Sequence, residues 1–145
     1  MPRSDSDEKY VLDLCDRVLG LTSSRQHRLD FLLGDPNRKG NQARLPVDGY
    51  YDELKLVIEY RERQHTEKVP FFDKPDRVTI SGVHRGEQRR IYDERRRQLL
   101  SQHGIILLEI SYSDLKPNKQ GRIIRDAEFD EGILRKKLQD FVRRV

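Results

Sequence analysis

Residues 105–110 read IILLEI, five apolar side chains in six consecutive positions. A strand with one wet face alternates apolar and polar residues, whereas a run without alternation needs apolar cover above and below. A sheet is covered on both faces when helices lie on each side of it, so this run predicts an α/β architecture. Glu109, the one charged member of the run, must then face an opening or a cation. A chain of 145 residues supports one core, and a single domain over residues 1–145 is the expectation.

The rest of the chain is organised around that strand. Tyr10, Val11, Leu14, Val18 and Leu21 recur at helical spacing behind Ser6 and Asp7, which are cap residues, with Gly20 as a stop. The segment Ser24–Leu33 reads as a short second helix, ended by Gly34, Asp35 and Pro36. Residues 35–43 have loop composition. Then the period changes to two. LPVDGYY is extended, Asp52-Glu53 reads as a hairpin turn, and LKLVIEYRE places Leu54, Leu56, Ile58 and Tyr60 on one face with Lys55, Val57, Glu59 and Arg61 on the other. Residues 63–84 lack a period and contain Pro70, Pro75 and Gly82. Arg85–His103 reads as a very basic helix, with Ile91, Tyr92, Leu99 and Leu100 as its apolar contacts and Gly104 as its stop. Asp130 reads as the cap of a final helix, with Phe129 and Leu134 as a hydrophobic staple. A strand, a crossover helix and a second strand form a right-handed parallel unit, giving a mixed sheet flanked by helices.

Composition excludes several classes. Hydrophobic residues are 34% and charged residues 37%, which is polar, but the periodic stretches are those of a folded chain. The net charge of +4 permits a polyanionic partner without requiring one. Cys15 is the only cysteine, so an internal disulfide and a cysteine-based zinc site are both excluded, as suits a reducing compartment. No apolar run approaches the roughly 20 residues that span a bilayer, and the first ten residues lack the apolar core of a signal peptide. A cytoplasmic protein without a membrane partner is the expectation.

Two carboxylates stand where chemistry can use them. Asp48 precedes the hairpin and Glu59 follows it eleven residues later, so antiparallel pairing brings both to one point. Oxygen ligands on adjacent strands suit a hard cation such as magnesium, which keeps several waters and recruits a phosphate. Arg61 shares the face of Glu59 and would steady a phosphate or an attacking water. His65 follows six residues after Glu59, and Asp93 lies in the first half of the basic helix. An aspartate that accepts from one imidazole nitrogen frees the other to take a proton from water. Each residue also has a plainer reading: Asp48 in a turn, Glu59 as a solvated strand carboxylate, His65 on the surface.

Taken jointly, Asp48, IEYRERQH and YDERRRQLLSQHGIILLEI resemble the small PD-(D/E)xK nucleases grouped with the very-short-patch repair endonuclease. The shared pattern is an acid at the hairpin, a Glu closing an apolar strand, a His six residues later, and a helix with the spacing of Asp93, Arg96, Leu100 and Gly104 before a strand. The resemblance covers about residues 7–112 and implies a restriction-endonuclease-like fold, Mg2+ or Mn2+ as cofactor, and cleavage of DNA. It also adds Glu8, near the start of the first helix, as an outer-sphere ligand beside Asp48 and Glu59. The chain departs from the pattern at Arg61-Glu62, where many relatives carry Asp-Gly, and its third motif position holds Arg, not Lys. That shifts the activating role towards His65. The basic helix, through Arg85, Arg89, Arg90, Arg96 and Arg97, would track phosphates without reading bases. Two rivals stand beside the nuclease: a nucleic-acid-binding module of the same fold without catalysis, and a domain whose basic face meets an acidic protein. A homodimer is compatible with all three.

Overall fold

The computed structural model describes residues 6–63 and 85–142. Helix α1 covers Asp7–Leu19. Ser6 caps it by accepting from the Lys9 N–H, and Gly20 ends it in the left-handed region, at φ 68°, where the absence of a Cβ removes the steric penalty. Val11, Leu12, Leu14, Cys15, Val18 and Leu19 are its buried stripe.

The segment read as a second helix is instead a strand, β1, Ser24–Leu33. Arg25, His27, Leu29 and Phe31 are half-buried while Ser24, Gln26, Arg28 and Asp30 are exposed, a period of two. Its apolar residues crowd into Leu29–Leu33, which imitates one face of a helix in so short a window. Pairing with β2, Arg44–Tyr51, outweighs that local impression, and the register shifts between Arg28 and Leu33 so that Leu32 becomes fully buried.

The turn after β2 is longer than the Asp52-Glu53 hairpin expected. Leu54 and Lys55 belong to it, with Lys55 at φ 50°, and β3 runs Leu56–Arg61. The expected faces hold. Leu54, Leu56, Ile58 and Tyr60 pack against α1, and Val57 packs on the opposite side. Helix α2, Arg85–Gln102, covers that opposite side, with Leu100 fully buried beside Val57, Val47 and Leu32. Gly104, at φ 72°, follows it, and β4, Ile106–Ser111, pairs in parallel with β3. The sheet order is β1-β2-β3-β4, with one parallel and two antiparallel pairings.

Strand β4 therefore lies at the sheet edge among the described residues, which corrects the expectation of complete two-sided burial. Leu107 touches the α2-side cluster and Leu108 the opposite one, so both layers reach the strand, but Ile106 is 43% exposed. The C-terminal helix is likewise capped elsewhere. Asp126, not Asp130, caps α3, Ala127–Lys137, by accepting from the Phe129 N–H. Asp130 is fully buried and accepts from the Tyr10 hydroxyl at 2.5 Å, which ties α3 to α1. Phe129 lies exposed beneath the Lys116 ammonium, so it makes no staple with Leu134. The last helix breaks at Leu138, and α4 covers Gln139–Val142. Helices α1, α3 and α4 form one layer and α2 the other. No helix among the described residues is long and apolar enough to cross a membrane.

Leu100 anchors α2 to the sheet. Leu100→Ala should cost about 2–5 kcal/mol in urea unfolding, the range for deleting a fully buried leucine. A loss below ~1 kcal/mol would show that α2 is not held by this contact.

Candidate active site

Strands β2 and β3 are paired through Gly49 with Ile58, Tyr50 with Val57 and Tyr51 with Leu56. One more step of that register sets Asp48 opposite Glu59. There the ladder gives way to side chains. The Asp48 N–H donates to Glu59 Oε2 at 2.6 Å, and the Tyr60 N–H donates to Asp48 Oδ2 at 2.8 Å. Val47 and Leu45 lie in the α2-side cluster with Tyr50, so the alternation of faces along β2 breaks between Val47 and Gly49. The strands part at Asp48, and two carboxylates satisfy the backbone donors that the parting exposes.

Glu8, in the first turn of α1, joins them from the other side of the cleft. Gln26 links the two: its amide nitrogen donates to Glu8 Oε2 at 2.8 Å and to Asp48 Oδ1 at 3.3 Å. Gln26 holds a left-handed φ of 47° inside a strand, a conformation that L side chains rarely adopt. Burial and then the charge of Asp48 push the Glu8 carboxyl up to about 7. The same two causes raise Glu59 to about 7, against the opposing pull of the Asp48 N–H, Arg96 and Arg61. Glu59 is only 5% exposed, so its charge is poorly served by water.

The cations around the cleft are mostly engaged. The Arg61 guanidinium donates to Glu109 at 3.0 Å from Nε and lies 2.8 Å from Asp93 Oδ1 through Nη1, so it joins β3 to β4 and α2. Arg96 meets the same Asp93 Oδ1 at 3.2 Å, approaches Glu59 Oε1 at 3.8 Å and donates to the Pro46 carbonyl. Asp93 Oδ2 has no partner among the described residues. Arg97 donates to Glu109 at 3.0 Å, which answers the expectation that this buried-strand acid faces a cation. Arg97 and Arg61 hold Glu109 below the usual carboxylate range although burial pushes it up. Arg90 pairs with Glu87, and Arg95 pins α2 to the end of β1 through Asp35 and the Leu33 carbonyl.

A cleft of about 260 Å³ gathers Glu8, Asp48, Glu59, Arg61, Arg89, Asp93 and Arg96, together with Tyr60, Glu62, Gln88 and Tyr92. Seven of the residues singled out from sequence thus line one cavity. Arg90 and Arg97 do not line it, and His65 and the side chain of Arg85 lie outside the described residues. Sequence reasoning missed Gln26, whose role arises from a backbone conformation and a contact across 18 and 22 residues.

The donor set is one of hard oxygens, which suits magnesium or manganese. Glu8 and Glu59, each raised to about 7 by burial and by the charge of Asp48, are also groups that a cation would relieve. Among the described residues no three His, Cys, Asp or Glu side chains are arranged to enclose an ion. Asp48 and Glu59 are the pair that could hold such an ion, which keeps several waters of its own. No protein-family model, curated protein or solved structure matches the chain.

The Glu59 carboxyl titrates near 7 in the fold against an ordinary value of 4.5. Its pKa is raised, so the stability it contributes is complete below about 4.5 and is lost as pH rises through 7. Glu59→Gln keeps an acceptor for the Asp48 N–H and removes the charge. Its melting temperature should match wild type near pH 4.5 and exceed it at pH 8, by on the order of 1–3 kcal/mol of stability. A variant no more stable than wild type at pH 8 would contradict this electrostatic account of the cleft.

Proposed function

We propose that the chain is a metal-dependent endonuclease of the restriction-endonuclease-like kind, hydrolysing phosphodiester bonds in DNA. The observation that carries this reading is the meeting of Asp48 and Glu59 where β2 and β3 part, beside Glu8 and basic residues of α2. A surface built only to hold a polyanion has no use for three acids facing it. The fold supports the reading at the coarser level: a parallel β3-α2-β4 unit extended by an antiparallel hairpin, between helical layers. DNA as the substrate comes from the resemblance in residues 7–112.

In this mechanism Asp48 and Glu59 would hold Mg2+ or Mn2+, with Glu8 as an outer-sphere ligand. The bound ion would supply Lewis-acid stabilisation of the charge that develops on the phosphoryl oxygens. His65 takes the proton of the attacking water, as its position six residues after Glu59 suggests. Asp93, whose Oδ2 has no partner among the described residues, would be the acceptor that orients its imidazole. The water oxygen forms the new bond to phosphorus, the bond to the leaving sugar oxygen breaks, and that oxygen gains a proton from solvent. Arg61 acts differently from the expectation of a phosphate contact. Paired with Asp93 and Glu109, it ties the ends of β3 and β4 to the middle of α2. That pairing also favours one rival, a binding module without catalysis, because the third motif position then offers no free cation.

Supercoiled plasmid decides between them. Wild type should nick it with Mg2+ or Mn2+ and not in EDTA, and Asp48→Asn should abolish nicking with the melting temperature retained. His65→Ala should lose on the order of a hundredfold in rate, the scale of a positioned general base. If plasmid, linear duplex, single strands and RNA all survive intact in either metal, the binding module is the correct reading.

A further inference from the structure

Helix α2 was expected to track phosphates with a row of arginines, but the fold uses most of them internally. Arg95 is bound to Asp35, Arg96 to Asp93, Arg97 to Glu94 and Glu109, and Arg90 to Glu87. The partly buried guanidinium groups of Arg95 and Arg96 must weaken their ion pairs before serving a substrate phosphate. The exposed Arg90–Glu87 pair costs little to break, and Arg90 is set apart by lying outside the cleft lining. Arg89 differs. It is exposed, lines the cleft, and makes no ion pair or hydrogen bond among the described residues. It stands four residues before Asp93 and seven before Arg96, so the three share one face of α2. That face carries the carboxylates' side of the cleft, whereas Arg90 lies outside the lining.

Resting on the nuclease reading, we propose that Arg89 is the cleft's substrate-binding cation, receiving a backbone phosphate diester of the nucleic acid beside the Asp48–Glu59 pair. Charge supports this assignment. The lining contains Glu8, Asp48, Glu59, Glu62 and Asp93 against Arg61, Arg89 and Arg96, and two of those arginines are committed to carboxylates. An approaching phosphate therefore meets a net acidic cavity, and among the described residues Arg89 is the lining cation that makes no ion pair. The planar guanidinium offers two parallel donors to two phosphate oxygens, a geometry that a lysine ammonium lacks. A phosphate diester presents the same oxygens whatever base it carries, so the contact positions the backbone and is indifferent to sequence.

The test measures binding of a fluorescein-labelled 20-base-pair duplex by anisotropy in EDTA, over a range of salt, with plasmid nicking in Mn2+ assayed separately. Single-stranded DNA and RNA of the same length serve as further probes. Arg89→Ala should bind about tenfold more weakly and flatten the salt slope by about one, with the melting temperature unchanged. Arg89→Lys should keep the slope and recover part of the affinity. Arg90→Ala, one residue away on another face, should bind like wild type. Equal binding by wild type and Arg89→Ala would overturn the assignment, and nicking by wild type would leave the nuclease reading intact. Equal losses in Arg89→Ala and Arg90→Ala would also overturn it, since bulk charge would then explain both. Dependence of binding on Arg89 without any cleavage would uphold it and remove the nuclease. Failure of wild type to bind any of the three probes would overturn the assignment, and failure to nick as well would remove the nuclease.

Discussion

A carboxylate held almost out of water at the end of an apolar strand has to be compensated by something that arrives with the fold. Glu59 follows Leu56, Val57 and Ile58, all of them fully buried, and is itself 5% exposed. Its oxygens reach one backbone N–H, that of Asp48, and one guanidinium, that of Arg96, at 3.8 Å. Neither restores an ordinary acidity. Much of the cleft is the response to this one charge. The Asp48 N–H and Arg96 answer it, the latter held in place by Asp93, while the Asp48 carboxylate, facing it where the strands part, adds repulsion.

The second layer of the cleft works through pairs of opposite sign. Arg61 would be an uncompensated cation at the end of β3 without Glu109 on the neighbouring strand and Asp93 on α2. Glu109 in turn would be an unpaired carboxylate in a mostly apolar strand without Arg61 and Arg97. Partly buried charges of this kind are tolerated when each has a partner in good geometry, and removing one member exposes the desolvation cost of the other. The network therefore fixes the relative position of β3, β4 and α2 without adding much net stability. It leaves the acids of the cleft short of cationic partners.

Where a local period or an isolated charge carried the information, the sequence was readable. Helix α1, the β3 faces, helix α2 and the β4 strand follow from the local pattern, and Asp48, Glu59 and Asp93 converge on one cavity with Glu8, which only the resemblance had suggested. Strand β1 was misread because Leu29, Phe31, Leu32 and Leu33 crowd one end, and pairing with β2 overrides so short a pattern. The cap of α3 was displaced by four residues because Asp126 and Asp130 are equivalent in sequence, and only the Tyr10 hydroxyl of a distant helix distinguishes them. The engagement of Arg61, Arg95 and Arg97 was hidden for the same reason: each partner is set by tertiary packing, not by neighbours along the chain.

The distances along the chain within the cleft are very unequal. Asp48 and Glu59 meet across 11 residues of hairpin, while Arg61 finds Glu109 across 48. Short-range pairings close early in folding and long-range ones close late. A chain with the hairpin formed and β4 undocked would hold two close carboxylates with no helix α2 to bring Arg96 to them. In that half-built state both carboxylates stand in water, which screens their repulsion. Docking of the crossover helix brings Arg96 near but also strips water from Glu59, and burial is the larger effect. The charge of Glu59 therefore costs most in the finished sheet, after the last long-range pairing has closed over it.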